Sequence, residues 1–161
     1  MTGNAVIATA QLLVGGAATD KTVLDVSNLA GGVLTLSSAQ TLGGGGEIVG
    51  SVSTTGLFAP GNSPGDFNVS GKIVNGVSAG GNLTVGGTGR IIIEYGKRAG
   101  DPPTAPLVVD QVIVTGSLVL TPKSLVEPGV QIVLRKYVDS GTWTSFVTPT
   151  EVLIIETRII G

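Results

Sequence analysis

Cysteine and histidine are both missing from these 161 residues. Without cysteine there is no disulfide framework and no thiolate metal site, and the redox compartment leaves no trace in the chain. Without histidine, serine, cysteine or zinc chemistry that relies on an imidazole is not available. Charge is scarce too. Asp, Glu, Lys and Arg make up 12% of the residues, about half the usual share. The 9 basic and 11 acidic side chains give a net charge of −2 and are scattered, so no basic face exists for phosphates and nucleic acid is not expected as a partner. The basic pairs Lys97-Arg98, in a Gly/Pro-rich loop, and Arg135-Lys136, after a Val-rich run, read as solvated positions. Long apolar runs are absent as well. Mean hydropathy is positive, but it accumulates in short pieces, which reads as neither disorder nor a transmembrane segment. Met1 to Ala8 carries no Lys or Arg before a weakly apolar stretch that Gln11, Gly15 and Gly16 interrupt, so no signal peptide is visible.

Aromatic residues are few: 3 Phe, 2 Tyr and 1 Trp. The core must therefore be built from Val, Ile, Leu and Ala, and the 26 glycines break helices and supply tight turns. Branched side chains suit a pleated surface, which favours a β-rich domain. Leu57-Phe58-Ala59-Pro60-Gly61-Asn62-Ser63-Pro64-Gly65, followed by Phe67 to Gly71, reads as a stiff double-Pro corner between two short β runs.

Further short runs recur at Val33 to Leu36, Glu47 to Val52, Phe67 to Val69, Lys72 to Val74, Asn82 to Val85 and Arg90 to Tyr95. Leu107 to Val114, Ser117 to Leu120, Val130 to Leu134, Val152 to Ile155 and Arg158 to Ile160 follow. None holds a helical period. Asp20 to Val26 reads equally as a strand or a short amphipathic helix. Periodicity alone leaves a sandwich, a barrel and a solenoid open. Three features favour an all-β, right-handed parallel β-helix: very short strands, a small aliphatic core, and Gly-rich corners that outnumber hairpin signals. Asn75-Gly76 is a strong two-residue hairpin candidate and Thr88-Gly89 a weaker one. With roughly 20 residues per coil, about eight coils would rise about 4.8 Å each, about 40 Å in all. Residues 1–161 are read as one β-solenoid domain, with 1–30 as an N-terminal cap or extra coil and 136–161 as a C-terminal cap or docking strand.

Four blocks in order carry a family resemblance: Leu42 to Val52, Phe58 to Gly65, Leu83 to Glu94 and Asp110 to Leu120. Together they resemble the autotransporter-associated β-strand repeat, over roughly residues 30 to 135. The resemblance implies a β-helical passenger region of a bacterial surface protein, extracellular or at the cell surface. The ten-residue alternating strands and aromatic girdles of an outer-membrane barrel are absent from the sequence.

The apparent catalytic motifs fail on chemistry. Gly61-Asn62-Ser63-Pro64-Gly65 formally fits a nucleophile elbow, but that site needs a backbone N–H on the residue after Ser63, and Pro64 has none. Glu94, Asp101 and Asp110 are the candidate carboxylates. A glycosidase needs two of them about 5 to 9.5 Å apart, usually beside aromatic platforms, and only Tyr95 is near; the bland assignment is that Glu94 ends a strand, Asp101 sits in a Pro loop and Asp110 caps a turn or aligns a strand. Gly43 to Gly46 is followed by a strand rather than a helix and reads as a corner. Asp does not repeat in the register of calcium-binding solenoids. Asn68-Val69-Ser70 and Asn82-Leu83-Thr84 are formal glycosylation sequons that read more simply as polar residues on exposed strand faces. Trp143 and Phe146 read as filling for the last coil or a cap rather than as ligand contacts. No catalytic, cofactor-binding or metal-ligating residue is assigned, and no cofactor is expected.

The sequence thus points to a non-enzymatic structural or adhesive scaffold with a Thr/Ser/Asn-rich face. Partners expected for it are further copies of itself, through the solenoid ends or the terminal strand Val152 to Ile160, and a surface glycan or host surface. The alternative is a carbohydrate-binding or carbohydrate-active β-helix module.

Overall fold

The computed structural model describes residues 7–16, 22–61, 65–97, 102, 104–122, 129–138 and 142–145, without the side chains of 74, 78, 122, 135–138 and 142–145. Apart from one 3₁₀ turn at Ala30–Gly32, its regular structure is all strand. The strands fall into successive rounds. The first is β1 (Gln11–Leu13), β2 (Val23–Asp25) and β3 (Val33–Leu36). The second is β4 (Thr41–Gly44), β5 (Glu47–Val49) and β6 (Ser51–Thr54). The third is β7 (Leu57–Pro60), β8 (Asp66–Val74), its hairpin partner β9 (Val77–Gly80), and β10 (Leu83–Gly87). The fourth is β11 (Arg90–Gly96), β12 (Val108–Val109), β13 (Gln111–Val114) and β14 (Leu118–Pro122). A fifth begins with β15 (Gln131–Val138) and β16 (Thr142–Ser145).

Each round contributes one strand to each of three sheets. The first sheet runs β1-β4-β7-β11-β15, the second β2-β5-β8-β13 and the third β3-β6-β10-β14. All neighbours along these paths pair in parallel. The antiparallel pairs are additions: β8 with β9, β11 with β12, and β15 with β16. An all-β chain of parallel sheets visited in rotation is compatible with the β-solenoid expected from sequence.

Hydrogen bonds continue from the strands through the corners. At the corner leading into the first sheet, Leu57 N donates to Gln40 O at 3.0 Å, Arg90 N to Gly56 O at 3.0 Å and Gln131 N to Gly89 O at 3.0 Å. At the corner between the second and third sheets, Gly81 N donates to Gly50 O at 3.1 Å and Gly116 N to Gly81 O at 3.0 Å. Gly50 turns this corner with φ 125, and a Cβ there would lie 2.7 Å from Val26 Cγ2. A side chain would meet both backbone strain and a packed methyl, so the position selects glycine.

Alternate residues face inward and stack in columns across rounds. Leu34, Val52, Leu83 and Leu118 share one column. Leu42, Phe58 and Ile91 share another, and Ile48, Val69 and Val114 a third. Phe58 and Phe67 meet edge to face with ring centroids 5.2 Å apart, the arrangement that the ring quadrupoles favour.

Several expectations are corrected. Rounds are not uniform: partners in the first sheet are separated by 30, 16, 33 and 41 positions (Gln11, Thr41, Leu57, Arg90, Gln131). Among the described residues the strands therefore make four rounds and begin a fifth, where about eight uniform coils were expected. Length is added in insertions, among them the β8–β9 hairpin. That hairpin turns at Asn75-Gly76 as expected, with φ 52 and 79, the left-handed pair of a tight hairpin turn. Thr88-Gly89 makes no hairpin, because the strands it joins belong to the third and first sheets. Leu57 to Pro60 is a strand, so the double-Pro corner begins only at Gly61, and residues 62–64 lie outside the description. Gly43 and Gly44 end β4, which shortens the glycine corner. Asp110 splits the Leu107 to Val114 run, and Val23–Asp25 resolves the helix-or-strand ambiguity as strand.

Candidate functional site

The outer face of the third sheet follows from simple alternation. In Leu34-Thr35-Leu36 the leucines are buried and Thr35 is exposed. The parallel register sets Thr35 opposite Ser53 and Ser53 opposite Thr84. Small hydroxyl side chains therefore form an outward column across three rounds, at the roughly 4.8 Å spacing of neighbouring strands.

Over the first two rounds this face is the floor of a groove of about 510 Å³. Thr35, Ser53 and Thr55 contribute hydroxyls, while Leu29 and Val33 line it with aliphatic surface. One wall is fixed by Gln40. Its Nε2 donates to Ile7 O at 2.7 Å and to Thr9 O at 3.0 Å, and its Oε1 accepts from Ser37 N at 2.8 Å. A single amide thus pins residues 7–9 against the turn that leaves β3. Among the described residues no Asp, Glu, Lys or Arg lines the groove. The hydroxyls of Thr35, Ser53 and Thr55 make no hydrogen bond within the protein among the described residues.

Asp110 lies in a different part of the molecule and has a different environment. It is 5% exposed. Oδ1 accepts from Gly65 N at 2.7 Å and Oδ2 from Glu94 N at 2.8 Å, while its own N donates to Glu94 O at 2.8 Å. The carboxylate ties the end of β11 to the corner after β7. Burial pushes its pKa up from 3.8 to about 6, against the pull of the two N–H donors and with a contribution from the Asp66 charge. Gly61, with φ +81, packs so closely here that a Cβ would overlap Asp110 Oδ1. Both carboxylate oxygens are engaged by the backbone, in line with the strand-aligning assignment.

Of the other acids considered, Glu94 is half-buried and meets Asp110 through its backbone, and Asp101 lies outside the described residues. Ser63 and Arg98 also lie outside them, as do Phe146 and 151–161, and Trp143 is described only as backbone in β16. Asn82, the head of one sequon, acts at a corner: its Oδ1 accepts from Ser117 N at 2.8 Å. On the second sheet Ser70 Oγ donates to Glu47 Oε1. Ser27 N donates to Asp25 Oδ1 at 2.9 Å, and Ser27 holds that exposed carboxyl below its usual range. Among the described residues no cluster of three or more Asp, Glu, His or Cys is placed to hold a metal ion. No helix among them is long and apolar enough to cross a membrane.

The hydroxyl column was legible only as a general Thr/Ser/Asn enrichment. Its elements, Leu-Thr-Leu, Val-Ser-Thr and Leu-Thr-Val, carry the alternation that could have located it, but the register between rounds of unequal length is a tertiary fact. Compared with protein-family models, with characterised proteins and with solved structures, the chain matches none.

Proposed function

We propose that this chain is a non-enzymatic, extracellular or cell-surface structural or adhesive scaffold, wound as a right-handed parallel β-helix. The observation that carries the reading is the fixed rotation through three parallel sheets with hydrogen bonds continuing around the corners. A right-handed sense is supported by the general rule that crossovers between parallel strands of one sheet are right-handed in about 98% of cases. The resemblance to the autotransporter-associated β-strand repeat supports a bacterial surface location. The engagement of Asp110 by two backbone donors supports a structural rather than a hydrolytic carboxylate. Rungs of this kind stack aliphatic side chains and backbone ladders into a stiff body whose lateral faces are free to carry contacts.

The test is to incubate the purified chain with a panel of polysaccharides and assay for new reducing ends, while electron microscopy and light scattering follow its mass across a concentration series. The scaffold reading expects no reducing ends. Filaments would assign it an assembling role through its ends, and a monomer would restrict its role to the lateral faces. Hydrolysis lost in both Glu94→Gln and Asp110→Asn would overturn the reading.

A further inference from the structure

We infer that the groove on the outer face of the third sheet is a binding site for an uncharged glycan chain. The inference rests on the scaffold reading, since it names what one lateral face would hold. Four features of the groove select the ligand class. First, no ionisable side chain among the described residues lines it, so a phosphate, a carboxylated polymer or a cationic peptide would lose its hydration there without a counter-charge from them. Second, its floor presents the hydroxyls of Thr35, Ser53 and Thr55 without partners among the described residues. A hydroxyl both donates and accepts, and a ligand made largely of hydroxyls matches that pairing in either sense. Third, Leu29 and Val33 provide aliphatic surface beside the hydroxyls, which suits the C–H face of a sugar ring in a chain that has few aromatic platforms. Fourth, the volume of about 510 Å³ lies within the range of about 300–1,000 Å³ typical of small-ligand sites.

The shape favours a chain over a single sugar. The column Thr35–Ser53 continues in register to Thr84, which lies beyond the groove lining. A linear ligand lying across the strands would meet hydroxyls at a regular pitch of roughly 4.8 Å, set by the backbone and not by flexible side chains. The wall is preorganised, because Gln40 already uses its Nε2 and Oε1 to hold residues 7–9 and Ser37. Little ordering is therefore left for the ligand to impose.

The experiment is a two-dimensional ¹H–¹⁵N NMR titration of the full chain with neutral cello-, malto- and chito-hexasaccharides, with oligogalacturonate as the charged control. The expected result is that at least one neutral hexasaccharide shifts the amides around Thr35, Ser53 and Thr55, and that oligogalacturonate does not. Ser53→Ala and Thr35→Val each remove a hydroxyl from an outward position; each should leave the rest of the spectrum intact and weaken binding about tenfold. Thr84→Val should weaken the hexasaccharide that binds while leaving binding of the trisaccharide of the same series, titrated alongside, unchanged. The inference is overturned if no neutral hexasaccharide shifts these amides at millimolar concentration. Binding that maps elsewhere, or that survives both floor substitutions unweakened, overturns it equally. Those results would leave the scaffold reading standing, because its test reads reducing ends and particle mass.

Discussion

Leu83 and Leu118 are the same side chain in the same inward column, one rung apart, yet Leu83 is fully buried and Leu118 is 44% exposed. Leu83 lies between Val52 on one side and Leu118 on the other. Leu118, in β14, has Leu83 as its one registered strand partner among the described residues. The strands beside them, Leu-Thr-Val and Leu-Val-Leu, have equally good β character. A rung in such a fold is thus buried by its neighbours above and below rather than by its own composition, which is the nearest-neighbour logic of stacked architectures.

The sharpest way to break this comparison is to make the same substitution at both rungs. Leu83→Ala is expected to cost about 2–5 kcal/mol, the range for removing a fully buried leucine. Leu118→Ala is expected to cost less than about 1 kcal/mol, because little transfer energy and no closed cavity are at stake. Denaturant unfolding measures both. Equal losses would mean that β14 is covered as well as β10 in solution.

The corner held by Asp110 extends the contrast to polar burial. Gly61→Ala would force a methyl into Asp110 Oδ1 and, at 2.8 Å, into the Gly65 backbone, at a residue with φ +81. The expected loss is about 1–3 kcal/mol by thermal or denaturant unfolding. Gly76→Ala is the matched control: it also has positive φ, at 79, but a Cβ there meets nothing within 4 Å. A loss at Gly61 no larger than at Gly76 would show that the clamp yields.

The last effect concerns the charge of Asp110. Its folded pKa of about 6 lies above the ordinary 3.8, so the folded state holds a proton that the unfolded state releases. Its contribution is therefore fully present below about pH 4, declines as pH rises, and is lost above about pH 6, by on the order of 1–3 kcal/mol. Stability measured from pH 4 to 7 should fall in the wild-type chain, and the fall should be absent in Asp110→Asn. A wild-type profile no steeper than that of Asp110→Asn would mean that the two N–H donors offset the burial.

Much of the local structure was legible in the sequence, because it is set by residues close together in the chain. Val33 to Leu36 was located to the residue, since alternation and the flanking turn residues both point to a strand. Asn75-Gly76 announced its hairpin because a two-residue turn needs left-handed backbone at both positions. Thr88-Gly89 misled for the same reason: a turn signal reports a local bend and not whether the flanking strands will pair. The Glu47 to Val52 run concealed a corner at Gly50, whose need for glycine comes from Val26 in the preceding round.

The sequence by itself determined an all-β chain with a small aliphatic core, short strands and glycine corners, because branching, periodicity and turn chemistry act over a few residues. Only the tertiary structure decided which strands stack. Rounds of 30, 16, 33 and 41 positions hide the register from any sequence period. That register aligns Thr35 with Ser53 and Thr84, and it brings Asp110 to Gly65 and Glu94. Both arrangements depend on backbone contacts between residues far apart in the chain, and the loop lengths between them carry no local signal.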